Sequence, residues 1–161
     1  MTKYTRLSTA LFFLAFLTFS LATIGVEAHT ASAYTTQRHQ VIHFIDTHVD
    51  SACHVADTAT AAEVADSNYD WARASARIRH SVRDFLKLRR HWLQLPFANG
   101  NPARVELKFD SMLEYIRIYI VSVARTVSGD WSYASFTRGQ RAYDRAVNDC
   151  AQVLLELDRL N

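Results

Sequence analysis

The segment from Val105 to Val127, VELKFDSMLEYIRIYIVSVARTV, decides the fold. Val105, Phe109, Met112, Leu113, Ile116, Tyr119, Ile120, Val123 and Val127 recur at spacings of three and four, which stacks them on one face of an α-helix and scatters them over both faces of a strand. So much apolar surface on one helix needs other helices to cover it. Ile118 and Val121 lie on the opposite side, among Asp110, Glu114, Arg117 and Arg125, and could seed a small contact patch.

Working outward, Ser128-Gly129-Asp130 stops this helix at its C-terminal end. Before it, Asn99-Gly100-Asn101-Pro102 is turn chemistry, with Asn101 as N-cap and Pro102 at the first helical position. The preceding helix presents Trp71, Ala74, Ile78, Val82, Phe85, Leu88 and Trp92 and ends at Pro96. Two capping boxes compete to start it, Thr60 with Glu63 and Ser67 with Asp70, and a break is expected near Ser67-Asn68. A first helix is expected from Thr35 to Ala56, with Val41, Ile42, Ile45, Val49, Ala52, Val55 and Ala56 inward. A last helix opens at the Thr137 and Gln140 capping box and turns Tyr143, Ala146, Val147, Cys150, Val153, Leu154 and Leu157 to the core.

No sustained period-two alternation marks a strand, and only four Gly and two Pro interrupt a composition that is 49% hydrophobic. The expectation is an all-α domain: an antiparallel four-helix bundle in up-down-up-down order.

The N-terminus carries a different signal. Lys3 and Arg6 precede Leu7 to Val26, a run without charge, and two small-x-small sites follow, Val26-Glu27-Ala28 and Ala31-Ser32-Ala33. This reads as a signal peptide over residues 1–28, with cleavage after Ala28 or after Ala33. An uncleaved leader would be the chain's one route to a membrane, since about 20 apolar residues can span one. Cleavage leaves about 130 residues, residues 29–161, enough for a single helical-bundle domain and too few for two. The expected location is exported, periplasmic or extracellular.

Export bears on the two cysteines. Cys53 and Cys150 are neither a C-x-x-C pair nor part of a Cys/His cluster, so in an oxidising compartment they read as one disulfide. In this topology the first and last helices are neighbours, and both cysteines can reach their seam. The expected boundaries, however, put Cys53 near the end of its helix and Cys150 past the middle of its own, a mismatch in height.

Charge is segregated although the net value is only +2. From His39 to Ala72 there are six acids and no Lys or Arg; from Arg73 to His91 there are seven bases and one acid, Asp84. Arg73, Arg77, His80, Arg83, Lys87 and Arg90 share the outward side of the second helix, a candidate surface for an anionic partner or a structural match to the acidic first helix. Nucleic acid is excluded on two grounds, export and the lack of aromatics interleaved with the stripe. Arg89 points instead toward the apolar face beside Trp92, to snorkel, to stack on the indole or to meet a buried partner.

Two constellations could carry cofactor chemistry. His39, His43, Asp46 and Asp50 fall along one arc of the first helix, at a spacing that lets imidazole and carboxylate share a divalent metal. His48 lies within the apolar stripe, as a satisfied core histidine or as an axial haem ligand with Met112, Tyr115 or Tyr119 opposite. A mature N-terminal His29 could hold copper. The primary expectation is no cofactor, with metal or haem the alternative.

Enzyme signatures are absent: there is no G-x-S-x-G, H-E-x-x-H or phosphate loop. Trp131, Tyr133 and Phe136, expected in the last loop, have the side chains favoured as interface anchors. Together these features point to a non-enzymatic binding protein that engages a protein partner in an inhibitor, immunity-type or accessory role, with a homodimer as a further option.

Overall fold

A computed structural model of the chain describes the backbone of residues 5–96 and 102–160, and side chains within those ranges from residue 33 onward. Among the described residues there are four helices and no strand: α1 Thr5–Ser67, α2 Trp71–Leu93, α3 Arg104–Val127 and α4 Tyr133–Asp158. The chain divides into two compact units, Met1–His39 and Gln40–Asn161. In the first, the backbone is helical from Thr5. The signal peptide expected over residues 1–28 falls outside the residues whose side chains are described.

The second unit is the antiparallel four-helix bundle that the apolar periodicity predicts. Phe109, Met112, Leu113, Ile116, Tyr119, Ile120 and Val123 of α3 form its buried spine. α2 adds Ile78, Phe85, Leu88 and Trp92, and α4 adds Ala142, Ala146, Val153 and Leu157. α1 contributes Val41, Ile45 and Val49 and then a line of alanines, Ala52, Ala56, Ala59, Ala62 and Ala65. Such small side chains let a neighbouring helix approach until its side chains meet the α1 backbone. Ser81 Oγ donates to the Val55 carbonyl at 2.8 Å, and Arg77 Nη1 donates to the Ala61 carbonyl at 2.9 Å.

The first helix ends later than its apolar face suggests. α1 runs through Thr60 and Glu63 to Ser67, so neither residue caps anything. Tyr119 donates its phenol proton to Glu63 Oε2 at 2.8 Å, and Gln140 Nε2 donates to Glu63 Oε1 at 3.2 Å. Thr60 Oγ1 lies 3.0 Å from the phenol oxygen and 3.1 Å from the Ala56 carbonyl, so its one proton serves one or the other. This network ties α1, α3 and α4 together. Burial holds the Tyr119 phenol above a tyrosine's ordinary range; the Thr60 hydrogen bond opposes the rise and the Glu63 carboxylate adds to it.

The longer α1 also removes the height mismatch of the cysteines. Cys53 and Cys150 form the expected disulfide, Cα to Cα 6.5 Å. Ten residues further along α1, Glu63 meets Gln140, ten residues back along α4, as antiparallel neighbours must.

Among the residues of the expected boxes, Asp70 sets a helix start, and it does so as the cap itself and not as the partner of Ser67. Asp70 caps α2 by accepting from the Arg73 amide at 3.2 Å. Ser132 caps α4 by accepting from the Ser135 amide at 3.2 Å, ahead of the expected Thr137. α3 begins at Arg104 after Ala103, two residues beyond the expected Pro102; Asn101 lies outside the described residues.

The α4 stripe is rotated relative to its apolar reading. Val147 and Leu154 are exposed, whereas Asp149 is buried, held by Lys108 Nζ at 3.1 Å and Ser111 Oγ at 2.7 Å. Gly139 is buried where α4 crosses α3. A Cβ there would stand 2.6 Å from Ser122 Cβ, closer than any packing permits, so the crossing requires glycine. On α2, Trp71 is exposed and Ser81 takes a place in the core.

Candidate functional site

Both connections at one end of the bundle are built by the same backbone motif from different residues. After α3, the Asp130 amide donates to the Arg125 carbonyl at 2.9 Å and the Gly129 amide to the Thr126 carbonyl at 3.0 Å, with Gly129 left-handed at φ +84°. This is a Schellman ending, and glycine suits it. After α1, the Asp70 amide donates to the Ala65 carbonyl and the Tyr69 amide to the Asp66 carbonyl, each at 2.9 Å. Here the left-handed position is Tyr69, at φ 61°, among the described residues the one non-glycine with positive φ. A side chain with a Cβ costs about 1 kcal/mol in that conformation.

Tyr69 gains little packing to offset that cost, being 80% exposed with its ring edge-on to Trp71, itself 64% exposed. In up-down-up-down order the α1–α2 and α3–α4 connections share one end of the bundle. Trp131 (58% exposed) belongs to the second connection, and Tyr133 (73% exposed) follows it. Tyr133 is the first residue of α4 and Phe136 lies in its first turn, half-buried, so of the three expected loop aromatics only Trp131 is in the loop proper.

The basic stripe of α2 separates into two sets. Arg73 pairs with Asp70 at 3.5 Å, Arg77 turns to the α1 backbone, and His80 Nε2 meets Asp84 at 3.1 Å. Arg83, Lys87 and Arg90 remain outward, and Arg79 joins them. These four rim a groove of about 630 Å³ floored by Ile78, Val82, Leu86 and Ala124. Of the four, Arg83 alone has an ion pair among the described residues, with Asp84 at 3.7 Å. No described ion pair joins the acids of α1 to these bases, so helix pairing does not consume them. Arg89 points as its register requires: Nη1 binds Asp110 Oδ1 at 2.8 Å, and Trp92 Nε1 donates to the same oxygen at 3.0 Å.

His48 is half-buried and stacked on Phe44, ring centroids 4.1 Å apart. Its Nδ1 lies 2.9 Å from the Phe44 carbonyl, which can only accept, so Nδ1 is the donor. His48, His54 and His91 line a groove between α1 and α2 together with Asp50 and Asp84. Met112 is sealed in the core, while Tyr115 and Tyr119 have their hydroxyls engaged by Arg145 and Glu63. His39 falls in the first unit, and His43, Asp46 and Asp50 in the second. Among the described residues no group of three or more His, Cys, Asp or Glu side chains is arranged to hold a metal ion. Nor, among them, is any helix long and apolar enough to cross a membrane.

Two features escaped the sequence reading. Nothing in the order of residues marks Tyr69 as left-handed. Arg138, Arg141 and Arg145, by contrast, stand at i, i+3 and i+7 on the last helix, a spacing visible without a structure. Comparison with known protein families, characterised proteins and solved structures finds no match. The fold defines the chain as a four-helix bundle with a disulfide between its first and last helices.

Proposed function

We propose that this chain is an exported, non-enzymatic binding protein that docks a protein partner on the aromatic end of its bundle, in an inhibitor, immunity-type or accessory role. One observation carries the reading: a tyrosine occupies a position where glycine would be more stable, and its ring stands in solvent. With Trp71, Trp131 and Tyr133 it supplies the rigid, amphipathic side chains that dominate interface energetics. The unpaired bases of α2 add electrostatic steering toward an acidic partner. The disulfide supports export, since such bonds persist in oxidising compartments.

The test uses Tyr69→Gly. It is expected to raise stability by about 1 kcal/mol while reducing capture of the partner from the periplasmic or extracellular fraction. Trp131→Ala is expected to reduce capture without the gain in stability. If every protein captured by the wild type is retained by the Tyr69→Gly/Trp131→Ala double variant, the aromatic end is not the docking surface. N-terminal sequencing of the purified protein tests cleavage of the leader, with His29 or Tyr34 expected first and an intact Met1 refuting it.

A further inference from the structure

We infer that the groove between α3 and α4 is a binding site for a small ligand in which an aromatic ring carries a phosphate group. The groove holds about 630 Å³ and presents Arg138, Arg141 and Arg145 from one face of α4. Tyr115 and Ile118 of α3 form the opposite wall, and Tyr133 closes one end. No carboxylate lines it.

Three arginines lining one groove without an acid is an arrangement a folded chain has no internal reason to keep. Arg138 and Arg141 have no ion-pair partner among the described residues. Glu114 senses Arg138 but is already held by Arg117, whose Nε and Nη2 donate to it at 2.9 and 2.6 Å. Those bonds keep the Glu114 carboxyl below its ordinary range, so it stays ionised on Arg117. Arg145 is set in place rather than free: Nη1 donates to the Tyr115 hydroxyl at 3.0 Å, and the guanidinium lies 5.3 Å from that ring's centroid.

The groove therefore offers one positioned fork and two uncommitted ones, and planar forks recognise phosphate oxygens two at a time. The hydroxyl of Thr137 adds a donor on the same face of α4. The rest of the lining is apolar or aromatic: Ile118, Ala134, Ala142 and the faces of the two tyrosines. That combination fits a flat ring beside the anion better than a bare ion, which would leave those walls wet. The site shares Tyr133 with the aromatic end, but its three arginines take no part in the protein-docking reading, so the arginine variants test it separately.

Calorimetry at pH 7.5 tests the assignment with phenyl phosphate as probe. One-to-one saturable binding with a dissociation constant below about 1 mM is expected. Arg141→Ala and Arg138→Ala should each weaken it by about tenfold, and Arg141→Lys by several-fold, because the point charge remains and the fork is lost. Inorganic phosphate should bind at least about tenfold more weakly than phenyl phosphate, and benzyl alcohol not measurably. Arg90→Ala, on the other basic groove, should leave the affinity unchanged. All three positions are on exposed helix faces, so unchanged helical circular dichroism certifies the fold of each variant. Failure to saturate at about 10 mM phenyl phosphate overturns the proposal. So does inorganic phosphate binding equally well, or Arg90→Ala weakening binding as much as Arg141→Ala.

Discussion

Opening the Cys53–Cys150 bond measures how much of the bundle's stability resides in its unfolded state. The two cysteines are separated by 97 residues in sequence. A closed loop of about 100 residues removes unfolded-chain entropy worth about 4.7 kcal/mol at 25 °C in the chain-entropy model. Both cysteines are half-buried against the core edge, so serine in their place opens little cavity and the loss is expected almost wholly in the unfolded chain. Domains of this size are stable by about 5–15 kcal/mol, which makes the bridge between a third and nearly all of the total. Guanidinium unfolding, followed by helical circular dichroism, should compare the oxidised protein, the reduced protein and Cys53→Ser/Cys150→Ser. The reduced protein and the double variant are expected to lose the same 4 to 5 kcal/mol, about 15 °C in melting temperature. Their denaturant slopes should also rise, because an uncrosslinked unfolded chain exposes more surface. A loss below about 1 kcal/mol, or an unchanged slope, would refute the account.

Three further substitutions probe the packing. Gly139→Ala is expected to destabilise by about 1–3 kcal/mol in thermal melts, despite alanine's better helix propensity, and Ser122→Gly in the same chain should recover most of it; a stabilised Gly139→Ala would show that the crossing relaxes freely. Lys108→Met leaves buried Asp149 with Ser111 as its remaining donor and is expected to lose about 2–3 kcal/mol, whereas Lys108→Met/Asp149→Leu should recover most of it. Equal stability of the single and double variants would count against a buried pair. Tyr119→Phe removes the phenol's hydrogen bond to Glu63 and the phenol oxygen as an acceptor for Thr60, for about 1–2 kcal/mol near neutral pH. Folding raises the Tyr119 pKa, so the folded state keeps a proton that the unfolded chain releases above about pH 10. That contribution is complete below this pH and falls by about 1.4 kcal/mol per unit above it. The gap between wild type and variant should narrow accordingly from pH 10 to 11, and a constant gap would show that the phenol is not shielded.

The apolar pattern of Val105 to Val127 sufficed for the helix class because burial follows period and period is local. Boundaries were less legible, for a reason seen at Thr60, Glu63 and Gln140. Each has the chemistry of a capping residue, and capping boxes are recognised by residue type and spacing alone. The same hydroxyl and carboxylate equally satisfy a buried tyrosine that lies 56 and 59 residues from them, and the Gln140 amide serves that carboxylate, information that no short window contains. Asp149 was hidden similarly. Its burial depends on Lys108 and Ser111 of another helix, so the α4 stripe looked one position away from where it packs.

Gly129 and Tyr69 place the sharpest constraint on any account of the bundle's use. They occupy the same left-handed position of the same motif, at the same end of the molecule. Gly129 shows that the turn is attainable with the residue that suits it. At position 69 the tyrosine's extra cost is about 1 kcal/mol, and a ring 80% in solvent contributes little burial to set against it. Folding alone would favour glycine or asparagine there. A purely structural origin would need compensation from the edge-on contact with Trp71, yet that indole is exposed as well, and aromatic pairs supply about 0.5–1.5 kcal/mol chiefly where burial accompanies them. Contact with a partner would remove both rings from water together and convert the local deficit into binding energy, which is why stability and capture are expected to move in opposite directions in Tyr69→Gly.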